Sequence, residues 1–308
     1  MAGDEDDCVV VVNPESGGPD DDISAIRELA TEYGFDLAVS EEAGEPVSLT
    51  REAIEAGATR IGACGGDGTV NEVVRGIDEA DALDSTTLGV IPAGTGNNFA
   101  GNMGVQSVEH GFSLLADGDT RRIDLGVAGD ELFVNSCVCG LTADASESTS
   151  SELKGRFGEL AYVFNTINRM RDFEAIPLHV HAEEEDEVWD GDAMFVLIGN
   201  ARRFPAGGQE QANVEDGRFE VTIIEDVSTG QLVRETATRR LLGGEVSAIH
   251  RMTASSLTVE VRDGRSVSFS FDGEISQFDR LSCRVRPRTL SVRVGDGYDP
   301  VPPEPKGV

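Results

Sequence analysis

Lysine is almost missing from this chain. Lys154 and Lys306 are the only two in 308 residues, so arginine supplies 23 of the 25 basic side chains. Missing too is any apolar run near the roughly 18 residues that span a bilayer. The opening residues, Met1-Ala2-Gly3-Asp4-Glu5-Asp6-Asp7, lack the basic start and apolar middle of a secretory signal. These absences lead us to expect a cytoplasmic protein. There is no basic stripe for phosphate backbones, which argues against a nucleic-acid partner. Cys137-x-Cys139 and His179-x-His181 each lack a second ligand pair at zinc-site spacing, so neither reads as a metal site. The five cysteines, Cys8, Cys64, Cys137, Cys139 and Cys283, read as small buried hydrophobes of a reducing compartment.

Carboxylates are abundant instead: 57 acidic residues give a formal net charge of −32. Carboxylates hold water and hydrated cations well, whereas lysine exposes a long apolar stem. Acidity of this degree with almost no lysine is the pattern of haloarchaeal proteins. At molar salt the Debye length is about 3 Å, so the self-repulsion would be screened. The hydrophobic fraction of 39% is spread in short clusters, enough for a core in each of about two domains of roughly 150 residues.

The first third alternates strand and helix signals. Cys8–Val12, Phe35–Val39, Arg60–Cys64 and Leu88–Ile91 read as strands. Helical spacing appears around Ile23–Ala30, over Val47–Ala56 and from Val70 to Gly76. This order implies a mostly parallel sheet covered on both faces. After about Arg121 strands crowd together: Ile123–Val127, Leu132–Val138, Ile176–Ala182, Ala193–Ile198, Arg218–Ile224, Ser256–Val261, Ser266–Phe271 and Leu281–Val285. Helical stretches at 151–171 and 229–242 interrupt them. Such spacing predicts an antiparallel sandwich. Glu183–Glu187 reads as a solvated connection.

Three glycine-rich turns follow strands of the parallel sheet: Asn13–Gly18, Gly65–Asn71 and Pro92–Asn98. They would gather at its carboxyl edge, where open α/β folds bind ligands. Glycine lets a backbone approach a phosphate closely, and a helix N-terminus behind it offers N–H groups and a positive dipole end. Asp67, between Gly66 and Gly68, is placed to hold Mg²⁺ or to orient an attacking hydroxyl.

With these residues in hand, the chain resembles the diacylglycerol kinase catalytic-domain family, in particular its small soluble prokaryotic lipid kinases. The matching pieces are Asn13-Pro14-Glu15-Ser16-Gly17, Gly65-Gly66-Asp67-Gly68-Thr69-Val70-Asn71-Glu72-Val73 and Pro92-Ala93-Gly94-Thr95-Gly96-Asn97-Asn98-Phe99-Ala100. Later come Asp124, Phe133-Val134-Asn135, Gly199-Asn200, Asp216-Gly217 and Asp272-Gly273-Glu274. The glycine piece alone is shared with NAD kinases; the combination is what makes the match specific. Gly18 stands where several relatives carry lysine, and Asn98 where many carry aspartate.

The resemblance implies a three-layer α/β domain of the NAD kinase and diacylglycerol kinase type, followed by a C-terminal antiparallel β-sandwich. The expected boundaries are 1–122 and 123–287, with 288–299 a candidate return to the first domain. It implies ATP and Mg²⁺ as cofactors and a lipid alcohol as acceptor, with transient membrane contact and homodimer formation left open. Asn13, Pro14, Ser16, Gly17, Ser40, Gly65, Gly66, Asp67, Gly68, Thr69, Val70, Asn71 and Thr95 match nucleotide-binding positions. Asp67 and Asp124 are candidate metal-linked acids, and Asn213, Asp216 and Arg218 match a second Mg²⁺ site, Asp216 being its charged ligand. Asp124 has a competing reading as a cap or an ion pair with Arg121 or Arg122. Asp216-Gly217 and Asp272-Gly273 also suit ordinary hairpin turns. Glu274 matches the general base, with Asp272 shaping the site. The lipid cleft would draw on Phe133–Leu141 and on 157–167. The other readings are an NAD kinase-type enzyme for a soluble acceptor and a non-catalytic nucleotide-binding regulator.

Overall fold

A computed structural model describes residues 7–14, 23–94, 96–140, 175–206, 209–226 and 248–302. The expected helices at 151–171 and 229–242, with the whole second lipid-cleft segment 157–167 and Leu141 of the first, lie outside these residues. The chain divides into two compact units, one of residues up to Leu125 with Val214–Asp216 and Arg286–Pro300, the other of most of the remainder.

In the first unit β1 (Cys8–Val12), β2 (Asp36–Val39), β3 (Arg60–Gly65) and β4 (Thr87–Pro92) alternate with α1 (Ile23–Tyr33), α2 (Glu45–Glu55), α3 (Asp67–Glu79), α4 (Asn98–Asn102) and α5 (Val108–Asp117). The strands pair in parallel in the order β4-β3-β1-β2. β1 is Cys-Val-Val-Val-Val because a central strand covered on both faces needs branched apolar side chains on both. Val10 and Val12 pack with Ile26 and Ala30 of α1 and Phe112 and Leu115 of α5. Val11, on the opposite face, is fully buried as well.

The strands that follow are β5 (Asp119–Ala128), β6 (Glu131–Phe133), β7 (Ser136–Gly140), β8 (Ile176–Ala182), β9 (Glu187–Gly199), β10 (Arg202–Ala206), β11 (Gln209–Gln211), β12 (Phe219–Glu225), β13 (Ile249–Ala254), β14 (Ser256–Val261), β15 (Val267–Phe271), β16 (Glu274–Phe278) and β17 (Arg280–Val294); β5 up to Leu125 and β17 from Arg286 belong to the first unit, the remainder to the second. β9 serves two sheets. Its first half pairs with β8, which continues to β14 and β17. Its second half lies between β12 and β7, which continue to β13, β15 and β16. Between the sheets lie Phe133, Cys137, Ile198, Phe219 and Phe271 with Leu178, Val180, Leu257, Val259 and Cys283. β8 shows the alternation of a half-buried strand: Ile176, Leu178, Val180 and Ala182 are buried, while Pro177, His179 and His181 are not. His179 pairs with Asp190 at 2.8 Å.

The last strand belongs to both units along its length. Its first part pairs with β14, and Ser291 and Val292 pair in parallel with Thr87 and Leu88 of β4. Between these parts Arg288 takes a φ of 48°. Three local readings are refined. The expected strand Leu132–Val138 is broken into β6 and β7. Helix α3 begins three residues earlier than its apolar spacing suggested, at Asp67. The acidic connection before β9 is tied down, Glu183, Glu184 and Glu185 accepting from Thr258, Ser255 and Arg218.

One packing feature is testable directly. Gly62 and Gly89 are neighbours in register on β3 and β4, and Leu115 of α5 sits on both. A Cβ at Gly89 would lie 2.7 Å from Leu115 Cδ1 and 3.0 Å from its Cβ. Gly89→Ala should therefore destabilise by about 1–3 kcal/mol, the cost of overpacking a core, despite the better strand propensity of alanine. In a Leu115→Ala background the same change should cost less. Equal shifts of the denaturation midpoint in both backgrounds would remove Leu115 as the cause.

Candidate active site

Parallel pairing brings the ends of β1, β2, β3 and β4 to one edge of the sheet. Asn13 N–H donates to the Cys64 carbonyl, and Ser40, 5% exposed, donates its N–H and its hydroxyl to the Val12 carbonyl. Asn13, Pro14, Ser40 and Gly65–Asn71 thus follow neighbouring strand ends, as the sequence suggested. Ser16, Gly17 and Thr95 lie outside the described residues.

The turns after β3 and β4 touch through backbone. Ala93 N–H donates to the Gly65 carbonyl, and Asp67 N–H to that of Gly96. A Cβ on Gly94 would fall 2.4 Å from Gly66 Cα, so only glycine permits the approach. Asn97 closes its own turn, its Oδ1 accepting from Gly94 N–H and its Nδ2 donating to the Gly94 carbonyl. Asp67 locks the two turns. Its Oδ2 accepts from Asn98 N–H and Nδ2, both at 3.1 Å, and its Oδ1 from Phe99 N–H at 2.9 Å.

This leaves the start of α3 suited to an anion. Gly66 caps the helix without a side-chain hydrogen bond, and there is open space where a Cβ of Gly68 would stand. Thr69 and Asn71 are 2% exposed, and Thr69 Oγ1 and Asn71 Oδ1 are buried with no hydrogen-bond partner. First-turn N–H groups without a side-chain cap, a positive dipole end and an unspent hydroxyl fit a phosphate group. Val70, fully buried, anchors the turn from below. Among the described residues no three His, Cys, Asp or Glu side chains form a metal-binding group. Mg²⁺ of nucleotide sites is held by one or two carboxylates plus phosphates and water, a mode that the Asp67 carboxylate beside this helix start fits.

Asp124 is fully buried, its Oδ1 accepting from Arg288 N–H at 2.7 Å and its own N–H donating to the Val214 carbonyl. It thereby supports the positive φ of Arg288. The neighbouring arginines are engaged elsewhere, Arg122 with Asp84 and Arg121 with Glu215. The turn holding Asn213, Asp216 and Arg218 has Gly217 at φ 73°, with Asp216 exposed and Arg218 paired to Glu185. Asn213 and Arg218 belong to the second unit and Asp216 to the first.

Sequence reasoning missed the residue next to that acid. Glu215 accepts both arms of the Arg121 fork, at 2.9 and 2.7 Å, and the Tyr298 hydroxyl at 2.7 Å. Burial pushes the Glu215 carboxyl up, but the Arg121 and Tyr298 hydrogen bonds outweigh it and leave the group below its usual range. Burial and the same carboxylate push the Tyr298 hydroxyl up. Arg121 and Glu215 are 94 residues apart, and no local pattern announces the pair.

In the second unit, Asp272 and Gly273 form a two-residue hairpin between β15 and β16, with Phe271 opposite Glu274. Both have positive φ, 50° and 112°, the geometry of a type I′ turn. The turn is more than a connection. The Asp272 carboxylate accepts the N–H groups of Val134, Asn135 and Ser136 at 2.6, 3.1 and 2.8 Å. Those bonds interrupt the run Leu132–Val138 and make Asp272 a positioning group. Glu274 stands at the exposed start of β16. The cysteines are buried, and burial pushes the Cys8 and Cys139 thiols up to about 12, which keeps them protonated and inert.

Comparison with known proteins identifies the family and the fold. Residues 7–128 match the diacylglycerol kinase catalytic domain, and residues 135–294 the YegS C-terminal NAD kinase beta sandwich-like domain. The "Probable lipid kinase YegS-like" of Pseudomonas putida is 31% identical over 296 residues, covering 94% of this chain and 96% of that protein. Its namesake from Pseudomonas aeruginosa PA14 is 31% identical over 302 residues, covering 96% of each. In structure the chain is similar to a diacylglycerol kinase of Bacillus anthracis, with a TM-score of 0.68 at 19% identity, covering 96% of this chain and 98% of that one. The architecture is thus an α/β domain of the diacylglycerol kinase and NAD kinase type followed by a β-sandwich. The chain belongs to the YegS-like lipid kinases of the diacylglycerol kinase family.

Asp67 offers a direct test of the locked turns. Asp67→Asn keeps the size but replaces an accepting oxygen by a donor facing N–H groups. Kinase activity should be largely lost, with a stability loss of about 1.5–3 kcal/mol, the scale of hydrogen bonds to a charged group. Near-wild-type turnover at saturating Mg²⁺ would move the nucleotide site elsewhere.

Proposed function

We propose that this chain transfers the γ-phosphoryl group of ATP to the hydroxyl of a diacylglycerol-like, archaeol-like or other long-chain alcohol. The observation that carries the reading is the start of α3, where uncapped N–H groups and the unpartnered Thr69 Oγ1 lie beside Asp67. Family membership supplies the reaction class. Residues 1–122, with 288–299, would bind the nucleotide, and 123–287 the lipid.

Phosphoryl transfer is mainly positioning and charge stabilisation. Gly65–Asn71, with Asn13, Pro14, Ser16, Gly17, Ser40 and Thr95, would orient ATP so that backbone N–H groups meet the phosphates. Asp67 would hold Mg²⁺, which when bound neutralises charge on the phosphate oxygens. Asn213, Asp216 and Arg218 would hold a second, structural cation through one carboxylate and two carbonyls, with Asp124 a further metal-linked acid. Glu274 would take the proton of the acceptor hydroxyl as the bond to phosphorus forms. Asp272 fixes the turn that presents it.

Labelled γ-phosphoryl ATP offered to extracted lipids in one tube and NAD in another, both at high salt, should label the lipid. Glu274→Gln should lower that turnover by about 10²-fold or more with ATP affinity little changed. Label appearing only in NADP would overturn the reading, and equal turnover of variant and wild type would remove Glu274 as the base.

The charge balance supports a haloarchaeal setting. With a net charge of −32, self-repulsion opposes the compact state at low ionic strength. The melting temperature should climb steeply between 0.1 and 3 M KCl. A melting temperature that is flat or falls over this range would contradict the salt-adapted reading.

A further inference from the structure

Asp67 is the first residue of α3, so its carboxylate stands where the nucleotide phosphates are read to lie. A negative group in that place acts in two ways. It attracts a divalent cation, and while no cation is bound it repels the phosphates. Its surroundings decide which effect governs nucleotide binding. Three donors meet it, none of them charged: Asn98 N–H and Nδ2 on Oδ2, both at 3.1 Å, and Phe99 N–H on Oδ1 at 2.9 Å. The turn that supplies them, Pro92–Asn98, carries no charged side chain at all.

Two of these donors belong to the backbone and are present whatever side chain stands at 98. The buried Phe99 and the close approach of Gly94 to Gly66 hold them in place. Asn97 cannot substitute, because its amide is spent on Gly94. The Asn98 side chain is therefore the variable part of the arrangement, and the residue is exposed. A carboxylate has about four lone-pair sites. The three donors fill all but one of them, on Oδ1, which stays open to a cation. Asp67 is thus oriented beforehand, and no second charge in its turn has to be neutralised.

We propose that Asn98 is a positioning residue that sets the cation requirement of nucleotide binding: its neutral amide holds Asp67 without adding charge, so that ATP binds with or without a divalent cation. This rests on the nucleotide-site reading above. Helix α3 turns its positive end to the phosphates, and a single carboxylate shared among three N–H dipoles opposes it weakly. A carboxylate at 98 would put a second negative group at contact distance from Asp67 Oδ2. Two like charges so close, beside phosphates, would need a bound cation before the nucleotide could settle.

The test is calorimetric titration of the full chain with ATP at high salt, once in excess EDTA and once in saturating Mg²⁺. Wild type should bind in both, with Kd values within about 10-fold of each other. Asn98→Asp should weaken binding in EDTA by about 10-fold or more, the order expected for one added like charge at contact distance, and leave binding in Mg²⁺ little changed. Asn98→Ala, which loses the amide and adds no charge, should weaken both by the same small factor. Melting curves show which variants are folded, and Asn98→Glu carries the same charge if Asn98→Asp is not. Wild type that binds ATP only with Mg²⁺ overturns the proposal while the nucleotide-site reading stands. Equal weakening of the folded acidic variant in both conditions, the mark of a merely structural role, overturns it too. Binding of ATP by wild type in neither condition sinks the nucleotide-site reading and this proposal together.

Discussion

The close approach of Gly66 and Gly94 is the contact on which the candidate site at the sheet edge depends. Two backbones come within a distance that forbids a Cβ on Gly94, and only then can the Asp67 carboxylate reach the N–H groups of Asn98 and Phe99. The start of α4 is thereby capped from another turn, and the start of α3 is left without a side-chain cap. One helix end is satisfied so that the other remains available. Thr69 and Asn71 keep unpaired atoms beside it, a cost that a purely structural turn would avoid.

The second unit repeats the device with different parts. Asp272, at a positive φ, is a carboxylate that accepts three successive N–H groups rather than one cation. In the first unit Asp124 does the same for Arg288 N–H. In a chain with 25 basic and 57 acidic residues, most carboxylates cannot find a cationic partner. Backbone N–H groups are the remaining strong donors, and a charge-assisted bond to them is stronger than a neutral one. At these three acids the unequal charge is put to structural use.

The parallel sheet was legible because its signals are local. Each strand is a short branched apolar run ending in glycine or Asn-Pro, and the turn chemistry is written beside it. The hairpin Asp272-Gly273 was legible for the same reason. What escaped were bonds between distant residues. Leu132–Val138 reads as one strand on hydrophobicity, and it is broken by Asp272 and Asn200, neither of which is near in sequence. The Arg121–Glu215–Tyr298 cluster joins three segments that share no motif. Asp124 was singled out, but burial against Arg288 N–H could not be inferred from Arg121 and Arg122 beside it. The proposed base and nucleotide positions came from family motifs, whose meaning is chemical rather than periodic.

Asn98 shows how a departure from the family pattern is absorbed. Its Nδ2 and its N–H both donate to Asp67 Oδ2. An aspartate at the same place would set a second carboxylate against that oxygen, and like charges so close oppose one another unless a proton or a cation intervenes. The amide removes that requirement. Asp67 is then oriented by neutral donors among the described residues, so the turn can keep its shape before any nucleotide or cation arrives. The substitution exchanges a negative group for a donor, and the geometry of the locked turns follows from that exchange.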